Sequence, residues 1–241
     1  MIQSMPSSQL LADAKALWTV VASASVAFPD QGISIVTSPQ SRMCPQGWAG
    51  LVLLADSGIG TAPDEATADR FRALLADCPV ERLYDPSDSA KALPAAERLG
   101  PTSLAYLAAE SFRPTSGPAV EHLPVDHPDL RALEKLCSPE ERNEAGIDEL
   151  TSPVFCVRDG SDVIAASGYV AWPRNTAHIA VLTAPSARGR GLAKVTASST
   201  IAHALADGML PQWRARVPAS QQVARALGFA ELGVQISLKL E

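Results

Sequence analysis

Thr183-Ala-Pro-Ser-Ala-Arg188-Gly189-Arg190-Gly191-Leu192-Ala193 separates two stretches of different character, and the fold reads outward from it. Upstream, Thr176-Ala-His-Ile-Ala-Val-Leu182 is short and carries Ile, Val and Leu, which predicts a strand. Downstream, Lys194 to Asp207 is rich in Ala and has no Gly or Pro before the turn, which predicts a helix. A glycine-bearing loop that opens into a helix is a device for holding phosphate. Backbone N–H groups converge on one spot, the positive end of the helix dipole favours an anion, and glycines let the ligand reach the main chain. Arg188 and Arg190 bring cations to the same place. The stretch reads as a pyrophosphate cradle.

Two familiar phosphate motifs do not fit it. The dinucleotide fingerprint G-x-G-x-x-G fails because Lys194 stands at the third glycine, and a P-loop fails because Leu192-Ala193 replaces Lys-Ser/Thr. The stretch instead resembles motif A of the GNAT superfamily of acyl-CoA N-acyltransferases, Arg/Gln-x-x-Gly-x-Gly/Ala. Arg188, Gly191 and Ala193 match position by position, and Pro185 fits the family's strand-to-loop approach. A second segment, Leu210 to Phe229, alternates as a strand through Trp213-Arg-Ala-Arg-Val217. It then turns at Pro218 into a helix capped by Gly228. This resembles motif B, Asn-x-x-Ser…Leu-Gly-Phe, matched by Ser220, Leu227, Gly228 and Phe229. The resemblance covers roughly residues 119 to 241. It departs from the family at Val217, where Asn is usual, and at Ala224, where many members carry the Tyr that protonates the departing thiolate.

The expected class is α/β (α+β), a GNAT fold with a mixed twisted sheet flanked by helices. Around the motifs, strands are predicted at Val120–Val125, Val154–Arg158, Asp162–Trp172 and Glu231–Leu240, with a hairpin turn at Asp159-Gly160. Helices are predicted at Pro128–Cys137 and Ser138–Leu150. The N-terminal half predicts a helix at Ser7–Ser23, strands from Gly32 and Trp48, a helix at Pro63–Asp77 and a short strand at Leu104. It has α/β rhythm without a phosphate cradle and reads as a degenerate GNAT-like half that shapes the acceptor pocket. The expected organisation is an N-terminal α/β domain at 1–112, a Pro/Gly/Ser linker at 113–118 and an acyltransferase domain at 119–241.

Composition removes several function classes. A net charge of −6 argues against nucleic acid, which wants a basic face. No apolar run approaches the ~20 residues of a membrane span, and no signal peptide is visible, so a cytoplasmic protein is expected. Four scattered cysteines, without C-x-x-C or clustered histidines, predict buried small apolar residues and no metal site.

The resemblance implies acyl transfer, most simply of acetyl, from acyl-CoA to the amine of a small molecule by direct attack on the thioester. The pyrophosphate is expected on the N–H groups of Gly189, Arg190, Gly191, Leu192, Ala193 and Lys194, with Arg188 flanking. The pantetheine arm is expected to pair with the backbone of Val181, Leu182 and Thr183 like an added strand. Candidates for proton transfer are His178, for its ordinary pKa near 6.5, and Ser220, which could orient water or bond the coenzyme. His178 equally reads as a packed core or strand-edge residue, and Ser220 as a helix cap. Tyr169 and Trp172 could line an acceptor pocket or belong to the core. Glu110, Glu144, Asp148 and Glu149 could meet a cationic acceptor or simply face water. Two other readings stay open: a non-catalytic acyl-CoA-binding module, and an acyltransferase fed by an acyl carrier protein through the basic entrance of Arg188, Arg190 and Lys194.

Overall fold

The structure, a computed structural model, describes residues 8–76 and 78–240. Ser7 and Asp77, which end two expected helices, lie outside the described residues. The elements are α1 (Ser8–Val21), β1 (Gly32–Thr37), β2 (Ala49–Leu54), β3 (Ser57–Ala62), α2 (Glu65–Leu75), α3 (Pro86–Ala92), β4 (Glu97–Tyr106), β5 (Glu121–Leu123), α4 (Pro128–Lys135), α5 (Pro139–Ala145), β6 (Val154–Asp159), β7 (Asp162–Trp172), β8 (Thr176–Thr183), α6 (Leu192–Ala206), β9 (Leu210–Ala215), α7 (Pro218–Leu227) and β10 (Ala230–Lys239). Strands running both ways with flanking helices make this the mixed α/β class that the sequence predicts. The chain forms two compact units. One runs to Ala105 and takes in Ala215–Val217 and the chain from Glu231; the other comprises Tyr106–Arg214 and Pro218–Ala230. This division differs from the expected 1–112, 113–118 and 119–241, chiefly because β10 goes with the first unit.

In the first unit the strand order is β1-β3-β2-β10-β4. β1 runs parallel to β3, while β2 is antiparallel to both β3 and β10. Leu51 and Leu53 of β2, Phe71 and Leu75 of α2, and Val234, Ile236 and Leu238 of β10 bury one another in a single cluster. α1 adds Leu10, Ala14, Leu17, Trp18 and Val21, a spacing that lays one helical face on the core. Asp64 caps α2 by accepting from the Thr67 N–H at 2.8 Å. β3 is not predicted by the sequence, since two of its six residues are Gly. Its glycines are there for room: a Cβ on Gly58 would stand 2.5 Å from Leu53 Cδ2, and one on Gly60 would stand 3.2 Å from the Phe71 ring.

In the second unit the order is β9-β8-β7-β6-β5. β5 to β8 form an antiparallel meander, and β9 joins parallel to β8. α6 packs on one face of β7, where Thr200 Oγ1 donates to Ser167 Oγ at 2.9 Å. The opposite face of β7 meets Leu150 and Ser152, so closely that a Cβ on Gly168 would stand 2.7 Å from Leu150 Cδ1. The helix predicted over Ser138–Leu150 is shorter than expected. Gly146 takes a left-handed conformation (φ 53°), ending α5, and a 3-10 turn follows at Ile147–Glu149. Residues 113–118, expected as a linker, lie bound along the helices of this unit. Arg113 N–H donates to Leu227 O at 3.0 Å, Thr115 N–H to Ser198 Oγ at 2.9 Å, and Gly117 sits against Val195.

Candidate functional site

β8 delivers the chain into a 3-10 turn at Pro185–Ala187, and the loop then passes through Gly189 (φ 76°) and Gly191 (φ 77°) before α6 begins. Both glycines are left-handed, a conformation costing other residues about 1–2 kcal/mol. Gly191 starts α6 with no side-chain cap. The first-turn N–H groups therefore keep their hydrogens for an outside acceptor. Among the described residues, no partner is seen for the N–H of Gly189, Arg190, Gly191, Leu192 or Ala193. The N–H of Lys194, expected in the same set, is taken by Gly191 O at 3.0 Å. Nothing lies within 4 Å of where a Gly189 Cβ would be, and only the Lys194 side chain lies that near Gly191. N–H groups left open at an uncapped helix start, beside open space at both glycines, suit a diphosphate.

The flanking cations are held by acids. Arg188 Nη2 lies 2.7 Å from Glu141 Oε1 on α5, and its Nε donates to Thr183 O at 3.4 Å. Glu141 also closes the capping box of α5 through the Ser138 N–H. That backbone bond, with Arg188 contributing less, holds the Glu141 carboxyl below the usual carboxylate range. Arg190 Nη1 lies 3.5 Å from Oδ2 of Asp159, the last residue of β6.

β8 and β9 pair only at Thr176↔Leu210, Ala177↔Pro211 and His178↔Gln212. Beyond His178 the two parallel strands part, so the β9-side edge of β8 from Ile179 to Thr183 has no strand partner there. An exposed edge offers main-chain donors and acceptors to any extended group laid along it. Val181, Leu182 and Thr183 all lie on that edge, and the buried Thr183 Oγ1 has no hydrogen-bond partner among the described residues. The motif-B helix α7 is pinned to β9 by Trp213, whose Nε1 donates to Ser220 Oγ at 3.0 Å and whose ring meets Phe229 edge-on at 5.5 Å.

Residues 154–233 match the model of a family described as GNAT acetyltransferase. This segment is thus similar to that family over about a third of the chain. Among solved structures, the chain is similar to a GNAT-family protein from Novosphingobium aromaticivorans, at 21% identity and a TM-score of 0.47, covering 59% of this chain and 64% of that one. It is also similar to a GNAT-family acetyltransferase from Colwellia psychrerythraea, at 13% identity and a TM-score of 0.49, covering 100% of this chain and 76% of the other. A third, yncA from Salmonella typhimurium with its cofactor acetyl-CoA, shares 16% identity over 51% of this chain and 94% of its own, with a TM-score of 0.38. No curated protein matches the chain.

His178 and Ser220, the expected proton carriers, both make structural contacts. His178 stacks on Trp172 with ring centroids 4.6 Å apart, and its Nδ1 is sealed from solvent without a partner. Burial first, and then the nearby Arg214 cation, push the imidazole down to about 3. A general base works best with its pKa near the working pH, so these surroundings give His178 no such role. The sign of the consequence is definite. With an ordinary value of 6.5 in the unfolded chain, the site's contribution to stability is complete above pH 6.5 and is lost as pH falls toward 3. The slope is at most about 1.4 kcal/mol per pH unit. Denaturant titrations at pH 7 and pH 4.5 are expected to differ less for His178→Phe than for the parent chain. An equal pH dependence in both would show that the imidazole is not buried neutral.

Ser220 Oγ accepts from the Trp213 indole, a structural tie that uses one of its two lone pairs and not its own hydrogen. Tyr169 and Trp172 do not share a surface, because they are three residues apart on β7 and strand side chains alternate. Tyr169 lies under α6, its hydroxyl 3.3 Å from both His203 Nδ1 and Asp207 Oδ2. Trp172 stays on the face of His178, where Arg214 reaches over its ring at 5.6 Å. Ala224, at the place of the family Tyr, is buried in α7. Sequence reading missed Arg214, Gln212 and Tyr106. The available signal was a charged residue two positions from a Gln on a strand, which puts both on one face. Among the described residues no group of His, Cys, Asp and Glu could hold a metal, and no helix is long and apolar enough to cross a membrane.

Proposed function

We propose that the protein is an acyl-CoA-dependent N-acyltransferase that moves an acyl group, most simply acetyl, onto the amine of a small molecule by direct attack on the thioester. The observation that carries this reading is the run of five unpartnered N–H groups at the start of α6, beside the parting of β8 and β9. Bound acyl-CoA supplies an activated thioester. The N–H groups from Gly189 to Ala193 hold its diphosphate, and the free edge of β8 at Val181–Thr183 aligns the extended arm by main-chain pairing. In this reading a main-chain N–H of the same edge donates to the thioester carbonyl as its charge grows. No metal is required. The acceptor amine sheds its proton to water or arrives neutral, since His178 is too weak a base.

That weakness, with Ala224 in place of the family acid, favours one other reading: a module that holds acyl-CoA without turnover. Donation from an acyl carrier protein has less support, because Glu141 and Asp159 already neutralise two of the three cations at the entrance. Calorimetric titration with acetyl-CoA, with desulfo-CoA and buffer as controls, tests the site. Micromolar binding is expected, followed by free-thiol release on addition of amines. Binding without thiol release over a broad amine panel would leave the module; no binding at millimolar coenzyme would sink both.

A further inference from the structure

On the face of the second unit that bears Trp172 and His178, four polar side chains converge. Gln212 stands near enough to His178 to oppose its downward shift, yet among the described residues each of the four keeps a buried polar atom without a full hydrogen-bond partner. His178 and Gln212 are direct partners in the β8–β9 ladder, and Arg214 lies two residues on, along the same face of β9. Gln212 Nε2 donates to Tyr106 OH at 3.0 Å, leaving its Oε1 buried and unpartnered. Thr176 Oγ1, His178 Nδ1 and Arg214 Nε are likewise sealed from solvent without a partner. No carboxylate among the described residues pairs with Arg214, whose guanidinium is held over the Trp172 ring. Burial pushes its pKa down, opposed only by the Tyr106 phenol and by no carboxylate. Arg214 is half-buried, but its Nε is sealed without a partner, and buried polar atoms are ordinarily satisfied. Several orphans around one cation, where β8 and β9 part, describe half of a binding site.

We propose that Arg214 binds a carboxylate carried by the acceptor, so that the substrate is an amine bearing an acidic group, of amino-acid type. The planar fork of Arg matches a carboxylate with paired hydrogen bonds, and Trp172 fixes the plane of that fork. Neutral His178 adds no competing charge, and its tautomer adjusts to donate or accept. The inference rests on the N-acyltransferase reading for the chemistry, but the anion site itself stands on the side chains above.

The test offers the full-length protein each common amino acid, β-alanine and 4-aminobutyrate against the corresponding amides. Thermal midpoints are read with and without acetyl-CoA, and free thiol is read with it. At least one carboxylate-bearing amine is expected to raise the midpoint and release thiol about a hundredfold more efficiently than its amide. Arg214→Gln is expected to erase that preference and Arg214→Lys to restore part of it, with coenzyme affinity unchanged in both. Without ligand, Arg214→Met is expected to melt at or above the parent temperature, which separates lost recognition from lost folding. Equal use of acids and amides, or no midpoint shift with any acid, overturns the proposal. An Arg214 effect seen only when succinyl-CoA replaces acetyl-CoA overturns it too, assigning the carboxylate to the donor. Failure of acetyl-CoA to bind the parent chain counts against the acyltransferase reading, while the acid-against-amide midpoints still decide the anion site.

Discussion

Gly191→Glu is expected to weaken acetyl-CoA binding by about a thousandfold while leaving the protein folded. The substitution sets a carboxylate among the N–H donors that open α6, where only the Lys194 side chain comes within 4 Å of a new Cβ. Two like charges about 4 Å apart repel by about 4 kcal/mol at the effective dielectric of a protein surface. The left-handed backbone at Gly191 adds about 1–2 kcal/mol of strain, which touches folding. Gly191→Ala carries the strain without the charge and separates the two. Titration calorimetry of both variants is decisive: if Gly191→Glu binds as the parent does, the diphosphate lies elsewhere.

The second large effect is on stability. Gly228→Ala would place its Cβ 2.0 Å from Ser111 O, at a residue whose φ of 100° already disfavours a side chain. Relief requires moving either the end of α7 or the 3-10 turn at Ala109–Ser111, and so strains the Arg113 N–H bond to Leu227 O. A loss of about 3–4 kcal/mol is expected, in the range of overpacking and backbone strain combined. That corresponds to a midpoint lower by roughly 10 °C for a chain of this size. Gly160→Ala is the control. Its φ is 60° with nothing within 4 Å, and it should cost only the local strain of about 1–2 kcal/mol. Similar midpoints for the two variants would mean that the Ser111 contact does not constrain the chain.

Gly228 also shows how far the sequence could be read. As part of Leu-Gly-Phe it is recognisable as a helix cap, but its closest constraint comes from Ser111, more than a hundred residues earlier. The cradle was legible because it is local: strand, glycines, cations and helix follow one another within a few turns. β3 was not, because Gly58 and Gly60 are strand residues only in the company of Leu53 and Phe71. Tyr169 and Trp172 looked alike as aromatics on one strand, yet their spacing of three already sends them to opposite faces. For His178 the missing information was non-local. Its imidazole is held neutral by burial first and then by Arg214 on β9, and nothing near His178 in the chain signals either.

β10 lies between β2 and β4, and in the chain it follows both of them by the whole of the motif-bearing segment. During synthesis, therefore, Leu51, Leu53 and Phe71 leave the ribosome well before Val234, Ile236 and Leu238, the residues that bury them. Until residues 230–239 emerge, β2 and β4 present open, apolar edges to the cell's chaperones and to neighbouring nascent chains. Translation stalled before residue 230 should leave the early strands protease-sensitive, and release should protect them abruptly. The first half of this protein is the last to be finished.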